Sequence, residues 1–306
     1  MNRYSISEME QLSGINAHTL RKWELRYGLL SPGRTATNIR YYTNDDLRKL
    51  LNVKTLLNGG GKISKLSKHS RAELNSRVQK TIEPAENESA LIHSCISNLL
   101  LSAMDFDEAR FSKAWLESTK HLGVLRTMTD VIYPLLSRVG LFWASEKMNP
   151  AQEHFLSCLV RRKLLSAIDE LKTKSRGHSR WLLFLHEEED HEIPLMLAHY
   201  LLAKHGAHII YLGAKVPFEN LKQTVTAAKP THLLTFFSTR NHDKYLREFL
   251  SLLVRHFPKQ KIFAGAGKEY FNKIRVPEKV KLLHTPGDLL SLISSGKKIK
   301  DTVHER

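Results

Sequence analysis

Six consecutive residues, His186-Glu187-Glu188-Glu189-Asp190-His191, gather two imidazoles and four carboxylates in one short stretch. These are ordinary donors to a divalent metal. His186 and His191 stand five positions apart, whereas a shared helix face needs three or four, so a helical zinc site is disfavoured. Ser238 and the turn Gly265-Ala266-Gly267 supply small residues. Gly265-x-Gly267 lacks the further glycine of a dinucleotide fingerprint, and no Lys-Ser/Thr follows it as in a Walker loop. Trp143 precedes Glu153-His154 with nine residues between. A basic group, His18, Thr19, Arg21, Lys22 and Arg26, is followed by Arg34, Arg40 and Tyr41. Such cations neutralise phosphates, and a guanidinium can read a base edge. Cys95 and Cys158 lie in apolar stretches without metal-ligand spacing. That pattern rules out a disulfide scaffold and fits a reducing cytoplasm.

The elements that must position these groups fall into three segments. Residues 177–296 alternate apolar runs with helical patterns. The runs are Arg180–His186, Ala207–Leu212, Thr231–Phe237, Lys261–Ala264 and Lys279–Leu283, and they predict a doubly wound, mostly parallel α/β sheet. Such a sheet binds ligands beyond the C-terminal ends of its strands. The acidic run follows the first strand, Ser238 the third and the Gly265 turn the fourth, so all three converge on one edge. The tail Lys297–Arg306 is expected to fray.

Residues 88–176 show helical periodicity throughout and predict a four-helix bundle, with Asp105 able to cap its second helix. Residues 1–80 predict helices Ile6–Leu12, capped by Ser5 or Ser7, and Ala17–Arg26, separated by a tight turn at Gly14. This is helix-turn-helix spacing, in which the second helix enters the major groove. Two short arms around Thr35–Asn38 would form a wing aiming Arg34 and Arg40 at phosphates, and Thr43 to Asp46 would cap a third helix.

Charge follows the same division. The 306 residues carry 47 Lys/Arg against 31 Asp/Glu, a formal +16. Residues 1–80 hold 15 against 6, residues 81–175 hold 11 against 12, and residues 176–306 hold 21 against 13. A basic head on a neutral middle is the outline of a nucleic-acid reader with an attached body. No window has the ~20 near-continuous apolar residues of a spanning helix. Met1 to Glu10 has no apolar signal core. Both observations point to a cytoplasmic protein without membrane contact.

His18 to Leu29, followed by Arg40-Tyr41-Tyr42, resembles the winged-helix domain of MerR-type transcription regulators over residues 4–74. The resemblance implies double-stranded operator DNA as partner, held by His18, Thr19, Arg21, Lys22, Arg26, Arg34, Arg40 and Tyr41. Metal-sensing members place cysteines near a long dimerisation helix, an arrangement this chain lacks. Glu189-x-His191 with Ser238 and the Gly265 turn resembles the cobalamin-binding domain of methionine synthase, corrinoid proteins and light-responsive MerR regulators. That implies His191 as the lower ligand to cobalt and Glu189 as the carboxylate that tunes it. Ser238, Gly265 and Gly267 would line the channel for the nucleotide tail. Trp143-x9-Glu153-His154 is similar to the helical cap of the light-responsive subgroup, where these residues face the upper ligand of adenosylcobalamin. The domain order is that of the CarH/LitR group. Three positions depart from the pattern: Pro194 and Ala266 replace usual glycines, and Ala144 replaces the histidine that follows the cap Trp.

The implied function is a DNA-binding transcription regulator, not an enzyme. A cobalamin sensor would set its self-association, as dimer or tetramer, and its operator binding, with light acting through adenosylcobalamin. One alternative is a regulator of the same architecture that has lost cobalamin and answers to a protein partner, with Pro194 in its favour. Another is a corrinoid-carrying enzyme subunit. The basic N-terminal segment argues against that one, as does the lack of a separate catalytic barrel of ~250 residues.

Overall fold

Reciprocal capping opens the chain. The Ser5 hydroxyl accepts from the Glu8 amide while the Glu8 carboxylate accepts from Ser5 N at 2.7 Å. Helix α1 (Ile6–Ser13) ends at Gly14, whose φ of +63° makes the turn into α2 (Ala17–Tyr27). Strands β1 (Gly33–Arg34) and β2 (Arg40–Tyr41) pair antiparallel as the wing. Thr43 and Asp46 then box the start of α3 (Asn44–Asn58), and α4 (Ile63–Leu66) and α5 (Arg71–Lys80) follow. Met9, Leu20, Leu29, Tyr42, Leu47 and Leu50 form the buried centre of this region. The computed structural model describes residues 3–80, 88–144, 149–171, 179–238, 243–271 and 275–301.

The four expected middle helices are α6 (Glu88–Asp105), α7 (Glu108–Arg126), α8 (Tyr133–Ala144) and α9 (Pro150–Asp169). Between α7 and α8 runs a π-helical turn, Thr127–Ile132, in which Thr127, Met128, Val131 and Ile132 are fully buried. The Thr127 hydroxyl meets that of Ser118 at 2.9 Å. Asp105 is not the cap of α7. Helix α6 persists to Asp105, and Phe106 turns the chain at φ +53°. The cap therefore falls on Asp107, whose Oδ1 accepts from Arg110 N at 2.9 Å. Asp105 instead accepts from Arg48 Nε at 2.8 Å.

Met1–Leu159 and Val160–Arg306 are two compact units. In the second, β3 (Arg180–His186), β4 (His208–Val216), β5 (His232–Phe236), β6 (Lys261–Gly265) and β7 (Val280–Leu283) form one parallel sheet in the order β4-β3-β5-β6-β7. Helices α10 (Ile193–Lys204), α11 (Phe218–Ala228), α12 (Asp243–His256), α13 (Lys268–Phe271) and α14 (Pro286–Asp301) alternate with the strands. The doubly wound fold expected from the alternation is the one observed. β3 is buried from Trp181 to His186, as a central strand covered on both faces must be. The chain moves to one side of β3 for β4 and to the other for β5, so the topological switch lies between β3 and β5. Helix α14 includes Lys297 and is described to Asp301. The remaining tail residues lie outside the described ones. Among the described residues no helix is long and apolar enough to cross a membrane.

Candidate functional sites

The loops after β3 and β5 meet at the switch point through one buried carboxylate. Glu189 has no exposed surface. Its Oε1 accepts from the backbone N–H groups of Asp190 at 3.1 Å and His191 at 3.0 Å, and contacts His191 Nδ1 at 2.6 Å. Its Oε2 accepts from Ser238 N at 2.7 Å. A carboxylate on Nδ1 fixes the imidazole as the Nδ1–H tautomer and raises the basicity of Nε2. The His191 side chain is 58% exposed, so the ring stands at the sheet's C-terminal edge. Asp190 pairs with Lys215 Nζ at 3.2 Å and narrows the rim.

This geometry presents one imidazole nitrogen and not the donor set of a zinc cluster. Glu189, Asp190 and His191 offer donor atoms within 4.8 Å of one another. Both oxygens of Glu189 are already occupied by N–H groups. His186, the other imidazole of the run, points into the core against Phe237, Tyr245 and Phe249. Burial holds it below the ordinary histidine range, hence neutral. Pro194 falls in the first turn of α10, where no backbone donor is required.

Ser238 and Gly265 reach the same edge. Ser238 is exposed, and its contribution to the Glu189 network is the backbone amide. A Cβ at Gly265 would fall 2.2 Å from the Phe236 ring, so this glycine provides room for Phe236. Gly267 is open, with nothing within 4 Å of a Cβ placed there, and Ala266 is buried. A nucleotide tail seated over Gly265 would displace the Phe236 ring.

On α9, His154 is 76% exposed and its Nδ1 lies 3.4 Å from Glu153 Oε2. Trp143 and Ala144 close α8, and their side chains lie outside the described ones.

The basic surface centres on α2. His18, Arg21, Lys22 and Arg26 are exposed and Thr19 is half-buried. His18, Arg21, Lys22 and Leu25 share one helix face, and Leu25 is 92% exposed. The wing cations are held from within. Arg34 Nη1 donates to Asn38 Oδ1 at 2.7 Å, and Arg40 Nε lies 3.7 Å from Glu24 Oε2. Tyr42 also donates to Glu24, and burial with this carboxylate pushes the phenol pKa far up. The Tyr41 ring packs under the Arg3 guanidinium at 4.4 Å and covers Gly33. Sequence reading missed the Glu24–Tyr42–Arg40 brace and the Phe236 ring. Asn38, left-handed at φ +62°, carried a signal, because Asn tolerates that region and favours such a tip.

Comparison with known proteins identifies two parts of the chain. A family profile described as "MerR HTH family regulatory protein" matches residues 4–73, and one described as "B12 binding domain" matches residues 96–165. The HTH-type transcriptional repressor CarH of Myxococcus xanthus is 31% identical over 229 residues, which is 74% of this chain and 76% of that protein. CarA of the same organism, also an HTH-type transcriptional repressor, is 27% identical over 251 residues, 78% of each chain. The monomethylamine corrinoid protein of Methanosarcina barkeri shares the fold, with a TM-score of 0.52 at 16% identity, over 65% of this chain and 96% of that one. The chain therefore belongs to the MerR-type transcription regulators that carry a B12-binding domain, the family of CarH. That family is one of regulators, not enzymes.

Proposed function

We propose that this chain binds operator DNA through residues 1–80 and that cobalamin, adenosylcobalamin above all, controls that binding. The observation that carries the reading is the Glu189–His191 pair at the β3/β5 switch point, tied to Ser238 N. His191 would offer Nε2 to cobalt, Glu189 would hold the ring, and Ser238, Gly265 and Gly267 would border the nucleotide tail once Phe236 moves. Trp143, Glu153 and His154 would face the upper ligand. Bound adenosylcobalamin would supply a cobalt centre that accepts a nitrogen donor and a cobalt–carbon bond that light can break. His18, Thr19, Arg21, Lys22 and Arg26 would contact DNA from α2, with Arg34, Arg40 and Tyr41 from the wing.

Regulation would follow from linkage. A ligand that favours one self-associated state, dimer or tetramer, changes how many readers engage an operator together. The site of action is the cytoplasm. The direct test is the absorbance of full-length protein with adenosylcobalamin. Wild type should show base-off, histidine-ligated features, and His191→Ala should lose them together with affinity. Wild type that stays colourless refutes the reading. Ala144 has no donor atom, so no stable two-histidine state can be built from that position. Illuminated wild type should release the group more readily than Ala144→His.

A further inference from the structure

Helices α3, α5, α6 and α7 border a cleft of about 300 Å³, lined chiefly by Arg48, Asn52, Arg71, Asn75, Asp105 and Arg110. This is the lower end of the range for small-molecule sites. Three guanidiniums and one carboxylate face it. Arg48 Nη1 and Arg71 Nη1 share a single oxygen of Asp45, at 3.1 and 2.6 Å. The Arg110 side chain is 8% exposed and donates to Asn75 Oδ1. Its contacts to Asp105 and Asp107, at 3.8 Å each, are too long for hydrogen bonds. Each guanidinium carries five N–H donors, so donors here outnumber the protein acceptors that reach them. The wall is set to receive an oxyanion, which guanidiniums bind in bidentate fashion.

Asn52 supplies the second, independent observation. It lies in the middle of α3, only 3% exposed, and its side-chain oxygen has no hydrogen-bond partner. Buried polar atoms are nearly always bonded, and one that is not calls for a missing donor. An occupant matching both walls carries an anionic group for the arginines and an N–H or O–H for Asn52. We propose that this cleft is a second ligand site, taking a small phosphate monoester that bears a hydroxyl or amino group. It uses none of the residues assigned to cobalamin or to DNA. Helices α3 and α5 lie in the winged segment, whereas α6 and α7 lie in the helical one. An ester bound here would join the two and bias the angle between reader and bundle.

The test is calorimetric titration of the full-length protein, without cobalamin, using glycerol 3-phosphate, inorganic phosphate and glycerol at matched ionic strength. Glycerol 3-phosphate should bind saturably and about tenfold more tightly than inorganic phosphate, and glycerol should not bind. Asn52→Leu removes the acceptor and should reduce glycerol 3-phosphate to the affinity of inorganic phosphate. Arg71→Gln, at the exposed rim, should weaken both phosphate probes by about tenfold without altering DNA affinity. Absence of saturable binding by wild type up to about 10 mM overturns the proposal. So does equal glycerol 3-phosphate binding by wild type and either variant. A loss of DNA affinity in ligand-free Arg71→Gln would make the cleft part of the DNA surface, which also overturns it.

Discussion

Replacing Glu189 with Gln tests whether one carboxylate holds the switch-point loops together. The amide keeps one acceptor oxygen and turns the other into a donor. If the oxygen keeps the Asp190 and His191 contacts, its new NH2 faces Ser238 N, which now donates at 2.7 Å to Oε2. Two buried donors then oppose each other, at a cost of ~1–3 kcal/mol. The bond to His191 Nδ1 also loses its charge assistance, which about halves its strength and adds ~1 kcal/mol. The sum is about 2–4 kcal/mol. With a urea slope near 2 kcal/mol/M, the unfolding midpoint of the sheet-containing unit should fall by about 1–2 M. Trp181, 5% exposed in β3, gives a local fluorescence signal for that transition. Glu187→Gln, on the exposed part of the same loop, should stay within ~0.5 kcal/mol of wild type. Cobalamin affinity of Glu189→Gln should drop by roughly 10–100-fold, as it does when the carboxylate behind a metal-bound histidine is lost. A Glu189→Gln midpoint equal to wild type would show that the carboxylate network is not what joins the loops.

Three further outcomes are expected. Arg21→Ala should cost about 1–3 kcal/mol on operator DNA and little on random DNA, whereas Arg40→Ala should weaken both and flatten the salt slope by about one unit; anisotropy titrations across salt would refute the assignment if the two variants behave alike. Phe236→Ala vacates the space over Gly265 and should tighten cobalamin binding, read by absorbance titration; unchanged affinity, with His191→Ala still defective, would mean that the ring is not an obstacle. Burial beside Lys261 holds the His232 pKa down at about 4, so the unfolded chain takes up its proton first, near pH 6.5. Stability should be full above pH 6.5 and fall as pH drops toward 4, by ~1–2 kcal/mol after solvent screening. Urea midpoints at both ends of that window should converge in His232→Phe.

Local signals in the chain proved the readable ones. The run Arg180–His186 coincides with β3 because an apolar stretch flanked by charge has no other comfortable state at the centre of a sheet. Ser5, Gly14 and Thr43 announce their helix ends through their own side chains or flexibility. The Glu189–His191 pair was legible through the resemblance of Glu189-x-His191 to a family pattern. What escaped reading depends on distant or featureless partners. Ser238 serves through a backbone N–H, which no residue type advertises. Glu24 is engaged by Tyr42, eighteen positions on. Asp105 and Asp107 are equally good caps by composition, and only the left-handed turn at Phe106 decides between them.

The π-helical turn at Thr127–Ile132 has a consequence for how this family can vary in length. A π turn holds an extra residue in the space of an α turn, and each residue advances an α-helix by about 100°. Leu135 and Val139, one turn apart in the helix that follows, are fully buried. Losing a single residue from Thr127–Ile132 would restore α geometry and leave the later positions of α8 in phase, with the apolar stripe still on the core, whereas the same loss inside α8 would rotate all that follows by about 100°. Shortening by one residue is therefore tolerable in this turn without a rewritten hydrophobic pattern along Tyr133–Ala144, so that here segment length and helix composition can change independently.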